Sequence, residues 1–395
     1  MKRKVITGIS LLTCYGNNIN NTLSKLDTVK PNVSVLKNNI GRINRGYIIN
    51  DLDELYNKLN VKSVKCLKRI NIIGIMCAIE AYNNANLTSD ENISMTCAYP
   101  DVSIPDNIIT FEDIDDLETM YVPSVVQATI LAQINQIVNN HGKSHMISSA
   151  CASGLDTISD ICNQIELGQT EVGIAIGCDS PIMSFRFIKG LDKLKVISKT
   201  NLCRPFDKDR DGLMGGEGGA ALVIEEFEHA KKSKKRILAE IKGYDSSVDA
   251  VSIVSPHSSG MYAYNSMVKA ITNSNIIPND IGLIMSHGTG TIVNDNIEAI
   301  NIDKIFNYDK TYVTAIKSHV GHTASSNGII NAVFGILSMN NSIVPGILNF
   351  NEQSDNSPKI NISSKLRERN IENVLINAYG FGGYNSSMVI SKYNL

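Results

Sequence analysis

The chain has no Trp, and aromatic residues make up only 6% of its 395 positions, so any core must be built mainly from aliphatic side chains. It also lacks a dominant sign of charge: 37 Lys and Arg stand against 39 Asp and Glu, for a formal net charge of −2. Without a basic excess there is no general attraction to nucleic acid or to an anionic membrane, and such a partner would need a local patch. No stretch approaches the roughly 18 apolar residues of a membrane-spanning helix. None of the eight cysteines forms a Cys-x-x-Cys pair. That spacing argues against a disulfide scaffold and for reduced thiols in a cytoplasmic protein. The Cys and His residues are scattered, with no acidic partner in register, so no metal is expected.

What is present is globular in character. The hydrophobic share is 43%, enough at this length for a large core and too high for disorder. The basic start Met1-Lys-Arg-Lys followed by Val5-Ile-Thr-Gly reads as a first strand ending in a Gly turn, not as a signal sequence. Short β-type runs follow at Ile93 to Ala98, His145 to Ser148, Val172 to Ile176 and Ala220 to Glu225. A second set comprises Ile237 to Gly243, Leu283 to Ser286, Tyr312 to Ile316, Ile343 to Ile347, Val374 to Asn377 and Ser387 to Ser391. Helical patterns lie between them, at Leu67 to Asn84, Val125 to Ile137, Gly154 to Leu167, Ala263 to Thr272 and Gly328 to Met339. Such alternation predicts an α/β protein with buried sheets.

Ala150-Cys-Ala-Ser-Gly-Leu and Gly321-His-Thr-Ala-Ser-Ser-Asn-Gly each place small residues at a strand-to-helix turn, a faint sign of two related halves. The polar run Lys231-Lys-Ser-Lys-Lys fits a boundary, giving halves 1–235 and 236–395 packed as one body; it fits a solvated helix end equally well.

Cys151 is the most informative position. A Cys at a helix N-terminus meets unpaired N–H groups and the positive end of the dipole, which favours thiolate, and small neighbours leave room for a substrate. The other cysteines read as small core residues. His287, in Met285-Ser-His-Gly-Thr-Gly-Thr, and His322, in Lys317-Ser-His-Val-Gly-His-Thr, each follow a strand and sit beside glycine, which suits reachable, hydrogen-bonded imidazoles. His141, His145, His229, His257 and His319 carry no second cue. The glycine-rich segments Arg210 to Gly219 and Tyr379 to Asn385 lack the Gly-Lys-Ser/Thr of a phosphate loop. They are expected to be tight turns that offer backbone N–H groups to an active site.

Taken together, these segments resemble the β-ketoacyl-acyl carrier protein synthases of the thiolase superfamily, over nearly the whole chain. The resemblance rests on Val5-Ile-Thr-Gly, Ala150-Cys-Ala-Ser-Gly, Arg204-Pro-Phe-Asp-Lys-Asp-Arg-Asp-Gly, His287-Gly-Thr-Gly-Thr, Lys317 with Gly321-His322, and Gly380-Phe-Gly-Gly-Tyr-Asn. It implies a layered αβαβα thiolase fold of two similar halves. It further implies that Cys151 takes an acyl chain from a carrier-protein thioester. His287 and His322 would assist decarboxylation of a malonyl extender, and Lys317 would set the local ionisation states. The backbone N–H groups of Cys151 and Phe381 would form an oxyanion hole, with the Phe381 ring as a gate. Glu217 and Glu298 are expected to be structural.

The resemblance implies no cofactor beyond the phosphopantetheine that the carrier brings, and a homodimer or a heterodimer with a related subunit. A CoA-dependent thiolase lacks support because no second catalytic Cys is in place. A non-condensing partner subunit is disfavoured because Cys151 is present. Asn331 stands where many fatty-acid elongating members carry Glu, and Tyr384 replaces a usual Thr, pointing away from housekeeping elongation. An acidic carrier calls for a local basic entrance. Lys62, Lys65, Lys68 and Arg69 form one candidate cluster, Lys208 and Arg210 a second, though a solvated helix face explains them equally.

Overall fold

The computed structural model describes residues 2–98, apart from 18, 29, 32, 41–42, 59–67 and 90, together with residues 126–393. The first strands in chain order are β1 (Lys4–Leu12), β2 (Val33–Ile40), β3 (Ile43–Tyr47), β4 (Ser94–Ala98), β5 (Ser144–Ile147), β6 (Val172–Asp179) and β7 (Gly218–Glu226). They are followed by β8 (Ala239–Val248), β9 (Leu283–Met285), β10 (Tyr312–Thr314), β11 (Ile343–Val344), β12 (Arg367–Glu368), β13 (Asn373–Gly380) and β14 (Tyr384–Ser391). Ten of these join in one sheet, in the order β10-β9-β13-β14-β8-β1-β7-β6-β4-β5.

The β1–β8 contact is the seam of that sheet, confined to Lys4↔Ile241, Val5↔Glu240 and Ile6↔Ala239. On one side, β1-β7-β6-β4-β5 pair antiparallel, antiparallel, parallel, parallel. On the other side, β8-β14-β13-β9-β10 repeat those senses in the same order. Parallel neighbours need a crossover connection, and helices supply it in both halves.

Those helices complete the layers. Helix Arg69–Asn84 covers the outer face of β1, β7 and β6, and helix Met261–Asn273 covers β8 and β14. Between the half-sheets lie helices Ser153–Glu166 and Asn327–Asn341. The layers therefore run helix, sheet, helix, sheet, helix. Helix Asn327–Asn341 is buried from Asn327 through Met339 because it meets protein all round, and it stops at Ser342, which takes a left-handed φ of 55°. Helix Ser153–Glu166 is one-sided, turning Leu155, Ile158, Ile161 and Ile165 inward and leaving Asn163 and Glu166 exposed.

The two central helices cross where neither can bear a side chain. A Cβ on Gly154 would stand 2.8 Å from the Ile329 nitrogen, and one on Gly328 would stand 2.7 Å from that of Leu155. This backbone contact sets the turn carrying Cys151 beside the turn carrying His322.

The expected strands and helices are present with ends shifted by a few residues, the expected helix starts Leu67 and Val125 lying outside the described residues. The first strand, however, does not end in a Gly turn but runs on through Gly8 to Leu12, with a shift of register between Ile6 and Gly8. The β2–β3 hairpin and helix Phe185–Lys193 were not foreseen. The second small-residue turn also differs from expectation: after β10 the chain makes the short helix Lys317–Val320 and a 3-10 turn, Ala324–Ser326, before the central helix starts. That longer route is what buries Lys317 and His322 at the site.

Candidate active site

Cys151 sits in a sharp turn between β5 and helix Ser153–Glu166, with the preceding Ala150 at a φ of 50°. A non-glycine residue pays for this left-handed conformation and keeps it only when held there. Ser153 does the holding: its Oγ accepts from the Ser149 N–H at 2.9 Å and donates to the Ala150 carbonyl at 2.6 Å. Asp156, one turn on, accepts from Ser149 at 2.5 Å, from Ser246 on β8 at 2.6 Å, and from Ser386 on β14. The nucleophile turn is thereby tied to the other half. Cys151 is half-buried, whereas Cys77, Cys97, Cys162, Cys178 and Cys203 are fully buried. Burial pushes the Cys162 and Cys203 thiols up to about 12, which suits inert core residues.

His287 follows β9 on a loop whose N–H groups from His287 to Gly290 point at two buried carboxylates of helix Ile292–Ile305. Glu298 accepts from His287 N and Gly288 N, both at 2.8 Å, and from Asn377 at 3.1 Å. Asp295 accepts from Thr289 N at 2.9 Å and from Gly290 N. Burial raises the Glu298 carboxyl to about 7, against the pull of those donors. Glu298 is thus a loop holder, as expected, while Asp295 was overlooked because a lone helix carboxylate carries no signal in sequence. Asn331 donates to the Ser286 carbonyl at 3.1 Å and fixes the strand end just before His287.

Lys317 and His322 lie on the next segment, both buried. The Lys317 ammonium donates to the His287 carbonyl and stands 3.3 Å from His287 Nδ1. The backbone of His322 is clamped on both sides: its N–H donates to Met214 O at 2.7 Å, and its carbonyl accepts from Gly216 N at 3.0 Å. The Tyr47 hydroxyl, at the end of β3, donates to Ser318 O at 2.9 Å and braces the same segment. Asp179, at the end of β6, accepts from Ser325 N and Oγ at 3.1 and 2.8 Å and holds the turn beyond His322. Tyr47 and Asp179 had no motif around them to reveal these roles.

The two imidazoles stand edge to face with centroids 5.6 Å apart. Burial, reinforced by the Lys317 charge, holds both well below the usual imidazole range, so both are neutral. Their tautomers follow from their partners. Ala324 N–H donates to His322 Nδ1 at 3.0 Å, and the Lys317 ammonium faces Nδ1 of His287, so each ring carries its proton on Nε2. Burial also lowers Lys317 itself to about 8, opposed first by Cys151 and then by Glu298.

Cys151, His287 and His322 open into one cavity of about 650 Å3, walled by Phe187, Leu191, Leu213 and Phe381 among others. Gly380 brings β13 against the nucleophile turn: a Cβ there would stand 2.9 Å from Cys151 N. Phe381 sits at the tip of the β13–β14 turn and lines the cavity mouth. A thiol and two neutral N–H donors around one apolar-walled space, with a buried ammonium behind His287, suit thioester exchange and stabilisation of an enolate oxygen.

Other expectations need correction. The Arg210 to Gly219 segment does not offer its N–H groups to the cavity, because Gly212 N donates to Gly290 O and Gly216 N to His322 O. It clamps the two histidine loops instead. Arg69 is not part of a docking face: its guanidinium pairs with the buried Glu217, donating at 2.7 and 2.6 Å, and also bonds Ile49 O. Glu217 also accepts from Ser180 at 2.9 Å, a structural role as expected. Arg210 is buried and donates to the carbonyls of Asp207, Thr291 and Ile292. Lys208 pairs with Glu352 at 2.6 Å, and Lys68 is half-buried at a helix start. Lys62 and Lys65 fall outside the described residues.

Models of the beta-ketoacyl synthase N-terminal and C-terminal domains match residues 1–230 and 238–351 of this chain. The chain belongs to the beta-ketoacyl synthase family. It is 33% identical over 259 residues to the 3-oxoacyl-(acyl-carrier-protein) synthase 2 of Rhizobium meliloti (strain 1021), covering 64% of this chain and 61% of that protein. It is 31% identical over 290 residues to a mitochondrial 3-oxoacyl-(acyl-carrier-protein) synthase of Arabidopsis thaliana, covering 70% and 62%. These alignments thus span about three fifths of each relative's length. Among solved structures, the ishigamide ketosynthase/chain length factor superposes with a TM-score of 0.90 at 21% identity, over all of both chains. A type II PKS ketosynthase bound to the hexaketide, in complex with its acyl-carrier protein, superposes at 0.87 with 20% identity, over 99% of this chain and 100% of that one. At such identities the likeness establishes the thiolase-like fold.

Proposed function

We propose that this protein is a β-ketoacyl synthase that joins an acyl group to a malonyl unit, both presented as carrier-protein thioesters. The observation that carries this reading is the meeting of Cys151, His287 and His322 in one cavity, with both imidazoles neutral and protonated on Nε2. In the first step the Cys151 thiolate attacks the acyl thioester, forms the acyl-enzyme and releases the carrier thiol. In the second, the malonyl carboxylate leaves as carbon dioxide, and its electron pair passes into an enolate whose oxygen receives the two Nε2–H bonds. The enolate carbon then attacks the acyl-Cys151 carbonyl, and the Cys151 thiolate departs as the β-ketoacyl thioester forms. Backbone N–H groups of Cys151 and Phe381 would hold the oxyanion of each addition, with the Phe381 ring as the gate.

The enzyme would need no resident cofactor, since the phosphopantetheine arm arrives with the carrier. The buried thiols fit a reducing compartment such as the cytoplasm, and among the described residues no helix is long and apolar enough to cross a membrane. The family reading also brings a homodimer or a heterodimer with a related subunit. The departures at Asn331 and Tyr384 favour a specialised fatty acid or polyketide pathway.

The test is mass spectrometry of the intact protein after incubation with an acyl-carrier thioester. A mass gain equal to the acyl group, mapped to Cys151 and lost in Cys151→Ala, is expected. Unmodified wild type, or an acylated Cys151→Ala variant, would remove the catalytic reading.

A further inference from the structure

Helix Phe185–Lys193 stands between the Cys151 cavity and solvent. Phe187, Ile188, Leu191 and, just past its end, Leu194 line the cavity, while Arg186, Gly190 and Lys193 lie on the exposed face. This wall packs largely on itself. Ile182, Ile188, Leu191, Ile197 and Leu213 form an apolar cluster apart from the three large cores, and four of those five residues belong to the segment Pro181 to Ile197. The segment is tied firmly at its two ends. Ser180 Oγ donates to the buried Glu217 at 2.9 Å, and Ser198 donates through Oγ to Asp211 at 2.8 Å and through N to Leu213 O at 2.9 Å. Between those posts the N–H groups of Ser184, Ile188, Leu194 and Lys195 bond carbonyls of the segment itself, those of Pro181, Ser184, Gly190 and Asp192.

Gly190 falls inside this nine-residue helix, where alanine would hold it better. Glycine is needed where φ is left-handed or where a Cβ would collide. Neither applies at Gly190: its φ is not left-handed, and among the described residues no atom lies within 4 Å of the place a Cβ would take. Gly215, under the same wall, is the contrast, since a Cβ there would collide with Ile182. The effect of Gly190 is therefore to loosen the helix. The turn that ends the helix adds to this, because Lys195 takes a φ of 58° where glycine is the usual residue.

We infer that Gly190 keeps this helix pliant so that the wall yields to acyl chains longer than the closed cavity holds. The cavity of about 650 Å3 must take the acyl chain together with the extender and the end of the arm. A short chain reacts with the wall closed. A long one needs the helix displaced, and its own apolar surface against Phe187, Ile188 and Leu191 offsets the opening. Gly190 is thus a specificity-determining residue that acts through those three side chains. The inference rests on the β-ketoacyl synthase reading and adds to it how chain length is selected.

The test compares wild type with Gly190→Ala, a position that does not line the cavity. Acylation of Cys151 is timed with butanoyl and dodecanoyl thioesters of N-acetylcysteamine, and amide hydrogen exchange is followed over Phe185–Lys193. Alanine should raise amide protection there about fourfold, the factor by which it favours a helix interior over glycine. The dodecanoyl rate should fall by the same factor, while the butanoyl rate stays within about 1.5-fold. A glycine with a merely structural role would not link exchange to one chain length. Unchanged protection overturns the inference, because the glycine would not be what loosens the helix. Raised protection with an unchanged dodecanoyl rate, or an equal loss with both donors, overturns it too. Wild type that takes butanoyl and refuses dodecanoyl removes the yielding wall and leaves the synthase reading standing. Wild type acylated by neither donor overturns the synthase reading, and the inference with it.

Discussion

Lys317 grips His287 twice, donating to its carbonyl and standing 3.3 Å from its Nδ1. The ammonium thereby fixes the ring's tautomer and its backbone together. It does so from a fully buried position, where a charge is costly unless partnered. The residual cost shows as the fall of its pKa from the usual 10.5 to about 8, caused by burial.

That fall makes a prediction about stability. Between about pH 8 and 10.5 the unfolded chain holds a proton on Lys317 that the folded chain has lost, so stability gains from this group as pH rises through the window. Below about pH 8 the penalty is present in full. Replacement of Lys317 by Met removes the titration. Denaturant unfolding of wild type and Lys317→Met, at about pH 7 and about pH 10.5, should show the difference moving in favour of wild type at the higher pH. A difference that stays constant across the window would contradict the assigned ionisation.

The tautomer of His322 gives a second. Its Nδ1 is occupied by the Ala324 N–H, so the ring offers Nε2–H to the cavity. A Gln side chain can place an amide N–H near the Nε2 position, while Ala and the shorter Asn cannot. His322→Ala and His322→Asn should lose about 10²–10³-fold in malonyl decarboxylation and keep Cys151 acylation, with Gln recovering part of the loss. Equal loss in all three variants would mean that the ring does something other than donate from Nε2.

Glu298 accepts two backbone N–H groups and an Asn377 amide, so Glu298→Gln must turn an NH2 toward a donor. One buried donor is left unmet, at a cost of about 1–3 kcal/mol. The pH dependence carries the opposite sign to that of Lys317. With the folded carboxyl at about 7 and the usual value at 4.5, wild type loses stability from this group as pH rises from about 4.5 to 7. Glu298→Gln should lack that slope. Thermal unfolding across this range decides it, and a slope preserved in the variant would assign it to another group.

The parts legible in the sequence were those where local chemistry and local shape coincide. Cys151, His287 and His322 announce themselves because each needs small residues or glycine beside it at a strand end. The alternation of strands and helices was readable for the same reason, since periodicity is a local property. Asp179 and Tyr47 were not legible, because each acts on a loop far away in the chain, and Asp295, though only six residues from Thr289, looks like any other helix carboxylate. The duplication showed only faintly in residues and plainly in strand pairing, because a repeated topology tolerates nearly any aliphatic core. Arg69 and Arg210 were counted as docking charges for a related reason: sequence counts cations and cannot see that Arg69 is already spent on Glu217 and Arg210 on buried carbonyls.

Gly380 offers a test of how tightly β13 supports the nucleophile. A methyl group there meets Cys151 N and Ser149 O, each at 2.9 Å, and Ala150 Cβ at 3.0 Å. These are turn atoms that cannot yield without moving the cysteine. Gly380→Ala should cost about 1–3 kcal/mol by overpacking and slow Cys151 acylation about 10-fold or more. Acylation at the wild-type rate in a folded variant would show that the turn has slack the structure does not suggest.

Arg69 separates a structural cation from a docking one. Glu217 is fully buried, and Arg69 supplies its charge partner while Ile49 N and Ser180 complete its hydrogen bonds. Truncating Arg69 to Ala strands a buried carboxylate, which costs about 3–5 kcal/mol. Because the guanidinium faces inward, the folded fraction of Arg69→Ala should take acyl groups from the carrier with the salt dependence of wild type. The double variant Arg69→Met/Glu217→Gln removes both charges and should recover much of the stability. Thermal unfolding and the salt slope of acylation read the two effects separately. A stable Arg69→Ala variant with weakened, salt-insensitive carrier use would return Arg69 to the docking surface.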